Sequence, residues 1–245
     1  MPNSLAPKLL AEFIGTFALI FIGAGAVVGD GVGLPGLIAI AFAHGLTVMA
    51  FAFAYGSVSG GHFNPSVTVG VLAAGAMGAG EAIGYIVTQL IGGVAGALLL
   101  RTVLGGAATG LGMPALAHNL ALGATSLTIT PAAGFMIEAV LAFFLVTVVL
   151  STAVAGRAGN LAPLAIGMTL TLNIVMGGAL TGAAFNPVRA LGPMVATDNF
   201  NDAWLYVTAP IVGASAHGPR PARPRGDYGG RGRPDDAGRM SPIRD

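Results

Sequence analysis

Cysteine is missing from all 245 residues, and charged side chains make up only 9% of them. The first absence removes disulfides, thiol nucleophiles and cysteine-ligated metal, and leaves the redox compartment open. The second removes an ordinary water-soluble globule, whose charged fraction is about 25%, because so few ions cannot cover a surface this large. No collagen-like triplet is present either: the 39 glycines are scattered through apolar runs. What is there instead is apolar, at 54% of the chain and a mean hydropathy of +0.80. The formal net charge of +1 hides an uneven layout. Residues 217–245 hold seven of the eleven Lys/Arg and four of the ten Asp/Glu. The remaining 216 residues therefore describe a membrane protein.

Runs near 20 residues are long enough to cross a hydrocarbon core of about 30 Å at 1.5 Å per helical residue. Five are present, Leu9–Val28, Leu37–Tyr55, Ile83–Leu104, Phe135–Ala155 and Leu161–Leu180, with a shorter sixth at Ala203–Ala216. No charged leader with a small-residue cleavage site precedes the first, so it is expected to be a retained span. Two further apolar stretches, Phe63–Ala74 and Phe185–Ala196, are too short to cross and suit re-entrant placement.

The chain repeats itself. Glu12 lies early in span one, and Asn64-Pro65 opens the first short stretch 52 residues later; Glu138 lies early in span four, and Asn186-Pro187 opens the second 48 residues later. These are the only two Asn-Pro dipeptides, and Gly60-Gly61-His62-Phe63-Asn64-Pro65-Ser66 echoes Gly182-Ala183-Ala184-Phe185-Asn186-Pro187-Val188. Three spans and one short segment per half put an odd number of crossings in each, so the second half is expected to be inverted. The expected architecture is all-α: six transmembrane helices plus two re-entrant half-helices, in inverted halves of about 5–104 and 132–216, joined by a loop at 105–130.

Beyond Ala216 the composition turns to Arg, Pro, Gly and Asp, which cannot bury enough surface to fold. Two readings fit residues 217–245: a disordered cytosolic tail, or the product of a frame change that cut the sixth span at 14 residues, about 21 Å of helix. Lys8, Arg157 and the tail would share the cytosolic side, opposite Arg101. That places both termini in the cytoplasm and the protein in the plasma or inner membrane.

Asn is a preferred N-cap, and Pro suits the first helical position, where its missing N–H would be unpaired anyway. Each Asn-Pro therefore starts a helix. Inversion would point the two amino ends at each other, each with unpaired N–H groups and about half a positive charge. Asn64 and Asn186 add amide donors there. A water at that point gives its oxygen to the amides, so its neighbours orient oppositely and no unbroken proton wire forms; the field also repels cations. Such a passage conducts neutral molecules and refuses charge.

Together these motifs, with Arg189 three residues past Asn186 and the paired Glu12 and Glu138, closely resemble the aquaporin (major intrinsic protein) family over about residues 5–216. The resemblance implies a pore in each subunit, a homotetramer, and water as cargo, with ammonia or another small neutral solute second. It implies a selectivity filter at His44, Ile174, Ala183 and Arg189, of the kind found in vacuolar-type plant channels. One departure matters: the third motif residue is usually Ala, and here it is Ser66 and Val188, a variation also met among channels for larger solutes. Facilitation of metalloid acids, glycerol or urea is the alternative, although Ala190 stands where glycerol-conducting members usually carry Asp. Glu12 and Glu138 are expected to accept hydrogen bonds from the re-entrant loops, since a bare carboxylate in a span is costly.

Other classes fit poorly. An intramembrane serine protease would use Ser59, but none of the four histidines (His44, His62, His118 and His217) lies in spans four to six. No His or carboxylate pair has metal-ligand spacing on one helix face. A substrate-coupled transporter would want more titratable groups along its path. No catalysis, cofactor, metal or nucleic-acid partner is expected; the partners are water, small solutes and lipid.

Overall fold

The computed structural model describes residues 4–30 and 36–218. The expected tail lies almost wholly outside the described residues, and the choice between its two readings lies there too. Within the described part the architecture is a bundle of apolar helices, five of them long enough to cross a membrane.

In chain order, α1 (Leu5–Ala18), a π-helical segment (Leu19–Ala24) and α2 (Gly25–Asp30) run on as one span. Next come α3 (Gly36–Ser59), the short α4 (Pro65–Ala73) and α5 (Ala79–Val103). Residues 105–130, expected as a plain loop, carry a 3-10 turn at Gly110–Gly112 and a hairpin of β1 (Leu120–Leu122) and β2 (Thr125–Leu127), paired Leu120 to Leu127. Helix α6 (Pro131–Val149) continues into a second π-helical segment (Leu150–Val154), followed by α7 (Ala162–Thr181), the short α8 (Pro187–Thr197) and α9 (Ala203–Ser215).

Local chemistry sets the ends. Thr130 caps α6, its hydroxyl accepting from the Ala133 N–H at 3.2 Å, and Pro131 takes the first helical position. Gly182 ends α7 in a left-handed conformation, φ 80°, which a residue without Cβ adopts freely. At 13 residues, α9 spans about 20 Å, short of the hydrocarbon thickness. Its carboxyl end is tied to α6 by His217, whose ring stacks on Phe143 at 4.6 Å and meets the Thr147 hydroxyl at 2.7 Å.

Glycines let the helices approach closely, the packing mode that works in lipid, where tails offer no hydrophobic drive. A Cβ at Gly45 on α3 would lie 2.6 Å from the Gly167 carbonyl on α7, and one at Gly167 would lie 2.6 Å from the Gly45 carbonyl. Gly92 and Gly96 on α5 press the same way on the Phe13 and Phe17 carbonyls, at 2.6 and 2.7 Å. Outward faces are greasy: Ile83, Val87, Ile91 and Leu98 leave an exposed apolar stripe along α5, which water would not tolerate and lipid would. The short helices sit inside the bundle. Helix α4 packs on α5, α6 and α9, and α8 packs on α5, α9 and the π-helical segment of the first span.

Candidate functional site

Asn64 and Asn186 each start a short helix as their sequence requires. Both backbones are extended (φ −157° and −149°), with Pro next in line. The Asn64 Oδ1 accepts from the Ser66 N–H at 2.8 Å; the Asn186 Oδ1 accepts from the N–H groups of Val188 at 3.0 Å and Arg189 at 3.4 Å. With each oxygen committed to its own helix, the amide nitrogens face across. Asn64 Nδ2 donates to the Phe185 carbonyl at 3.1 Å, and Asn186 Nδ2 donates to the Phe63 carbonyl at 3.0 Å. The two helix starts are thus bolted together by a reciprocal pair of bonds. Each amide has a second hydrogen outside that pair.

Those carbonyls are aimed by strained backbone. Phe63 (φ 49°), Ala183 (φ 42°) and Phe185 (φ 31°) all occupy left-handed conformations, which cost a non-glycine residue about 1–3 kcal/mol each. Two buried carboxylates offset the cost. Glu12 Oε1 accepts from the Ser59 hydroxyl (2.7 Å) and the His62 N–H (3.0 Å), while its Oε2 accepts from the Phe63 N–H (2.7 Å) and Gln89 (2.8 Å). Glu138 Oε1 accepts from the Thr181 hydroxyl (2.6 Å) and the Ala184 N–H (3.0 Å), and its Oε2 from the Phe185 N–H. Hydrogen bonds to charged groups contribute about 1.5–3 kcal/mol each, enough to hold the loops in these conformations.

Three of the four residues named as a filter come together. His44, Ile174 and Arg189 line a cavity of about 190 Å³. The Arg189 Nε–H donates to His44 Nε2 at 3.1 Å, and His44 Nδ1 lies 2.9 Å from the Ile40 carbonyl. That carbonyl can only accept, so Nδ1 carries the hydrogen and Nε2 presents its lone pair to the arginine. Among the described residues, the Arg189 Nη1 has no hydrogen-bond partner. Ala183 departs from the group: its neighbour Gly182 lines the cavity, while the Ala183 methyl packs toward Gly177 of α7. A second cavity, about 1000 Å³, opens beside Lys8, Ser59, His62 and Tyr85. Asn64 and Asn186, 4% and 3% exposed, line neither cavity; His62, two residues before Asn64, lines the larger one, and Arg189, three residues after Asn186, lines the smaller.

Several members of the site escaped sequence reasoning. Ser59, weighed as a hydrolase nucleophile, spends its hydroxyl on Glu12. Thr181 does the same for Glu138, and Tyr85 and Tyr206 donate to the carbonyls of Ser59 and Thr181, both at 2.7 Å. A signal existed: Ser59 and Thr181 each stand five residues before a motif Asn. The linker is the other surprise. Its residues Gly112 to Ala115 line the 190 Å³ cavity, anchored by the Ala117 N–H on the Leu180 carbonyl at 2.8 Å.

A family model described as Major intrinsic protein matches residues 3–218. Aquaporin NIP1-2 of Oryza sativa subsp. japonica is 38% identical over 211 residues, covering 84% of this chain and 67% of that protein. Aquaporin TIP2-1 of Arabidopsis thaliana is 35% identical over 219 residues, covering 85% and 83%. Among solved structures, the aquaglyceroporin from Plasmodium falciparum superposes with a TM-score of 0.73 at 24% identity, over 87% of this chain and 93% of that one. That likeness speaks for the fold.

Proposed function

Because the chain belongs to the major intrinsic protein family, we propose that it is a passive transmembrane channel for water and small neutral solutes, with protons and ions excluded at the Asn64–Asn186 junction. The observation that carries this reading is the reciprocal pair of bonds between the two helix starts. Two amino ends that meet inside a membrane bundle concentrate positive potential and N–H donors at one point. Water there orients by its oxygen, and a proton has no continuous relay.

In this reading α4 and α8 are re-entrant half-helices, and residues 1–216 form the channel domain as two inverted halves. Two ion contacts support the arrangement. Lys8 near the start of α1 bonds Glu81 near the start of α5 at 2.7 Å, and Arg101 near the end of α5 bonds the Ala196 carbonyl of α8 at 2.8 Å. The first sets the mouths of α1 and α5 on one side; the second sets the far end of α8 on the other. Glu12 and Glu138 hold the two loops, and His44, Ile174 and Arg189 form the filter, with Gly182 on the cavity wall in the place expected of Ala183. A homotetramer in the plasma or inner membrane, with both termini cytoplasmic, completes the reading.

Ammonia fits as a second cargo, since it is neutral and donates and accepts as water does. Larger neutral solutes are the second reading. The cavity beside Arg189, about 190 Å³, has room for more than one water, and apolar Ile174 is part of its wall. Stopped-flow light scattering on proteoliposomes carrying the full chain tests both. The channel reading expects fast, non-saturating osmotic flow with a low activation energy and no collapse of an imposed pH gradient. Saturable flow, or a leak of protons, overturns it. Glycerol and urea swelling rates in the same vesicles separate the narrow filter from the wide one.

A further inference from the structure

Gly23 lies in the π-helical segment of the first span, and nothing in its backbone calls for glycine: its φ is an ordinary negative one. Its neighbour explains it. A Cβ at Gly23 would lie 2.5 Å from Cδ2, 2.6 Å from Nε2 and 2.9 Å from Cγ of His44. The Cγ–Cδ2–Nε2 edge of the imidazole therefore rests against the bare Cα of the first span, and its Nε2 is the atom that accepts from Arg189. Val27, one turn further along the same helix face, lines the 190 Å³ cavity with His44 and Arg189. That face of the first span is thus the wall on which the constriction is built. π-Helical turns inside α-helices occur frequently at functional sites, and here the turn presents the one side-chain-free position to the ring.

We infer that Gly23 is a specificity-determining positioning residue: by leaving its place empty, it seats His44 against the wall and sets both the bore of the constriction and the His44–Arg189 bond. The inference rests on the filter role proposed above for His44. A methyl group at residue 23 has no free volume, because the ring is trapped between it, the Ile40 carbonyl on one nitrogen and Arg189 on the other. The ring must swing toward the cavity, narrow it and give up one of its two bonds.

The test is a double-mutant cycle of Gly23→Ala and His44→Ala in proteoliposomes, with water and glycerol as the permeants. Gly23→Ala alone should lower water permeability about threefold or more and glycerol permeability further, whereas in the His44→Ala background the same substitution should change either by less than about 1.5-fold, contacting residues being those that couple. Equal effects in both backgrounds, or none in either, overturn the inference while leaving the filter intact. His44→Ala by itself should raise the glycerol-to-water ratio; if that ratio stays fixed, the filter role of His44 fails and the inference with it. Should Gly23→Ala not fold, recovery of folded protein in the double variant carries the same coupling, and no recovery overturns it.

Discussion

The side chain of Asn64 reaches across 121 residues of sequence to donate to the main-chain carbonyl of Phe185 at 3.1 Å. Asn64→Asp separates its two jobs. Aspartate is as good an N-cap as asparagine, so the bond from the Ser66 N–H survives and α4 still starts. The donor is lost, leaving an oxygen opposite an oxygen and a buried carbonyl unpaired, at a cost of about 1–3 kcal/mol. A negative charge also replaces a donor at the point of highest positive potential. The expected outcome is folded protein with a modestly lower thermal midpoint and a measurable cation or proton leak, read with a pH-sensitive dye inside proteoliposomes. Retained tightness to protons would detach ion exclusion from this junction.

Glu138 accepts from three donors, the Thr181 hydroxyl and the Ala184 and Phe185 N–H groups. In Glu138→Gln an amide NH2 must face at least one of them. With the Ala184 and Phe185 N–H groups fully buried, each left unpaired costs about 1–3 kcal/mol, and Phe185 loses the bond that offsets its left-handed backbone. Thr181→Ala removes one donor to the carboxylate and unpairs the Ala183 N–H that its hydroxyl accepts at 3.1 Å, but keeps both loop N–H bonds to Glu138, and should cost about 1–2 kcal/mol. Thermal denaturation in detergent should rank wild type above Thr181→Ala above Glu138→Gln. The reverse order would show that the hydroxyl, not the carboxylate, holds the loop.

Much of this was legible in the sequence because it is local. Span length follows from apolar runs, and a helix start at Asn186-Pro187 follows from cap chemistry and a fixed proline φ. Other parts depend on where the chain returns in space. Gln89 meets Glu12 across 77 residues, and Tyr206 meets the Thr181 carbonyl across 25 residues that include α8; neither partner has a spacing rule. Ala183 shows the limit of transfer by register. It stands three residues before Asn186, and with a left-handed φ of 42° its methyl packs toward Gly177 of α7 while Gly182 lies on the cavity wall. The linker's part in that wall, Gly112 to Ala115, had no sequence signal beyond its glycines.

Val188, where the family usually has alanine, is accommodated by a missing side chain on α5. A Cβ at Gly93 would run into the Val188 Cγ1, with the Ile20 side chain 3.4 Å away on the other flank. The larger motif residue is matched by the smaller partner. Gly93→Ala should therefore overpack the contact between α5 and α8 and destabilise by about 1–3 kcal/mol. Val188→Ala opens the space again, so the double variant should melt above Gly93→Ala alone. Additive losses would mean that Gly93 serves the α5 backbone and not this side chain.

Arg189 is 4% exposed, gives its Nε–H to His44 and has an Nη1 with no partner among the described residues, all on the wall of a cavity. A cation at membrane depth is retained only where it pairs or faces a wet path, and here one nitrogen does the first and another is left for the second. Arg189→Ala removes the charge, enlarges the cavity by a long side chain and frees His44 from one of its two bonds. Water flow should persist or rise, since the Asn64–Asn186 junction is untouched. Urea and cation flux should rise by about tenfold or more, the change expected when a barrier loses about 1.4 kcal/mol. The two readouts divide the work of the pore: if cations pass but protons do not, exclusion of large ions belongs to Arg189 and exclusion of protons to the paired helix starts. Unchanged urea and cation flux would remove Arg189, and with it the constriction it forms with His44, from selectivity altogether.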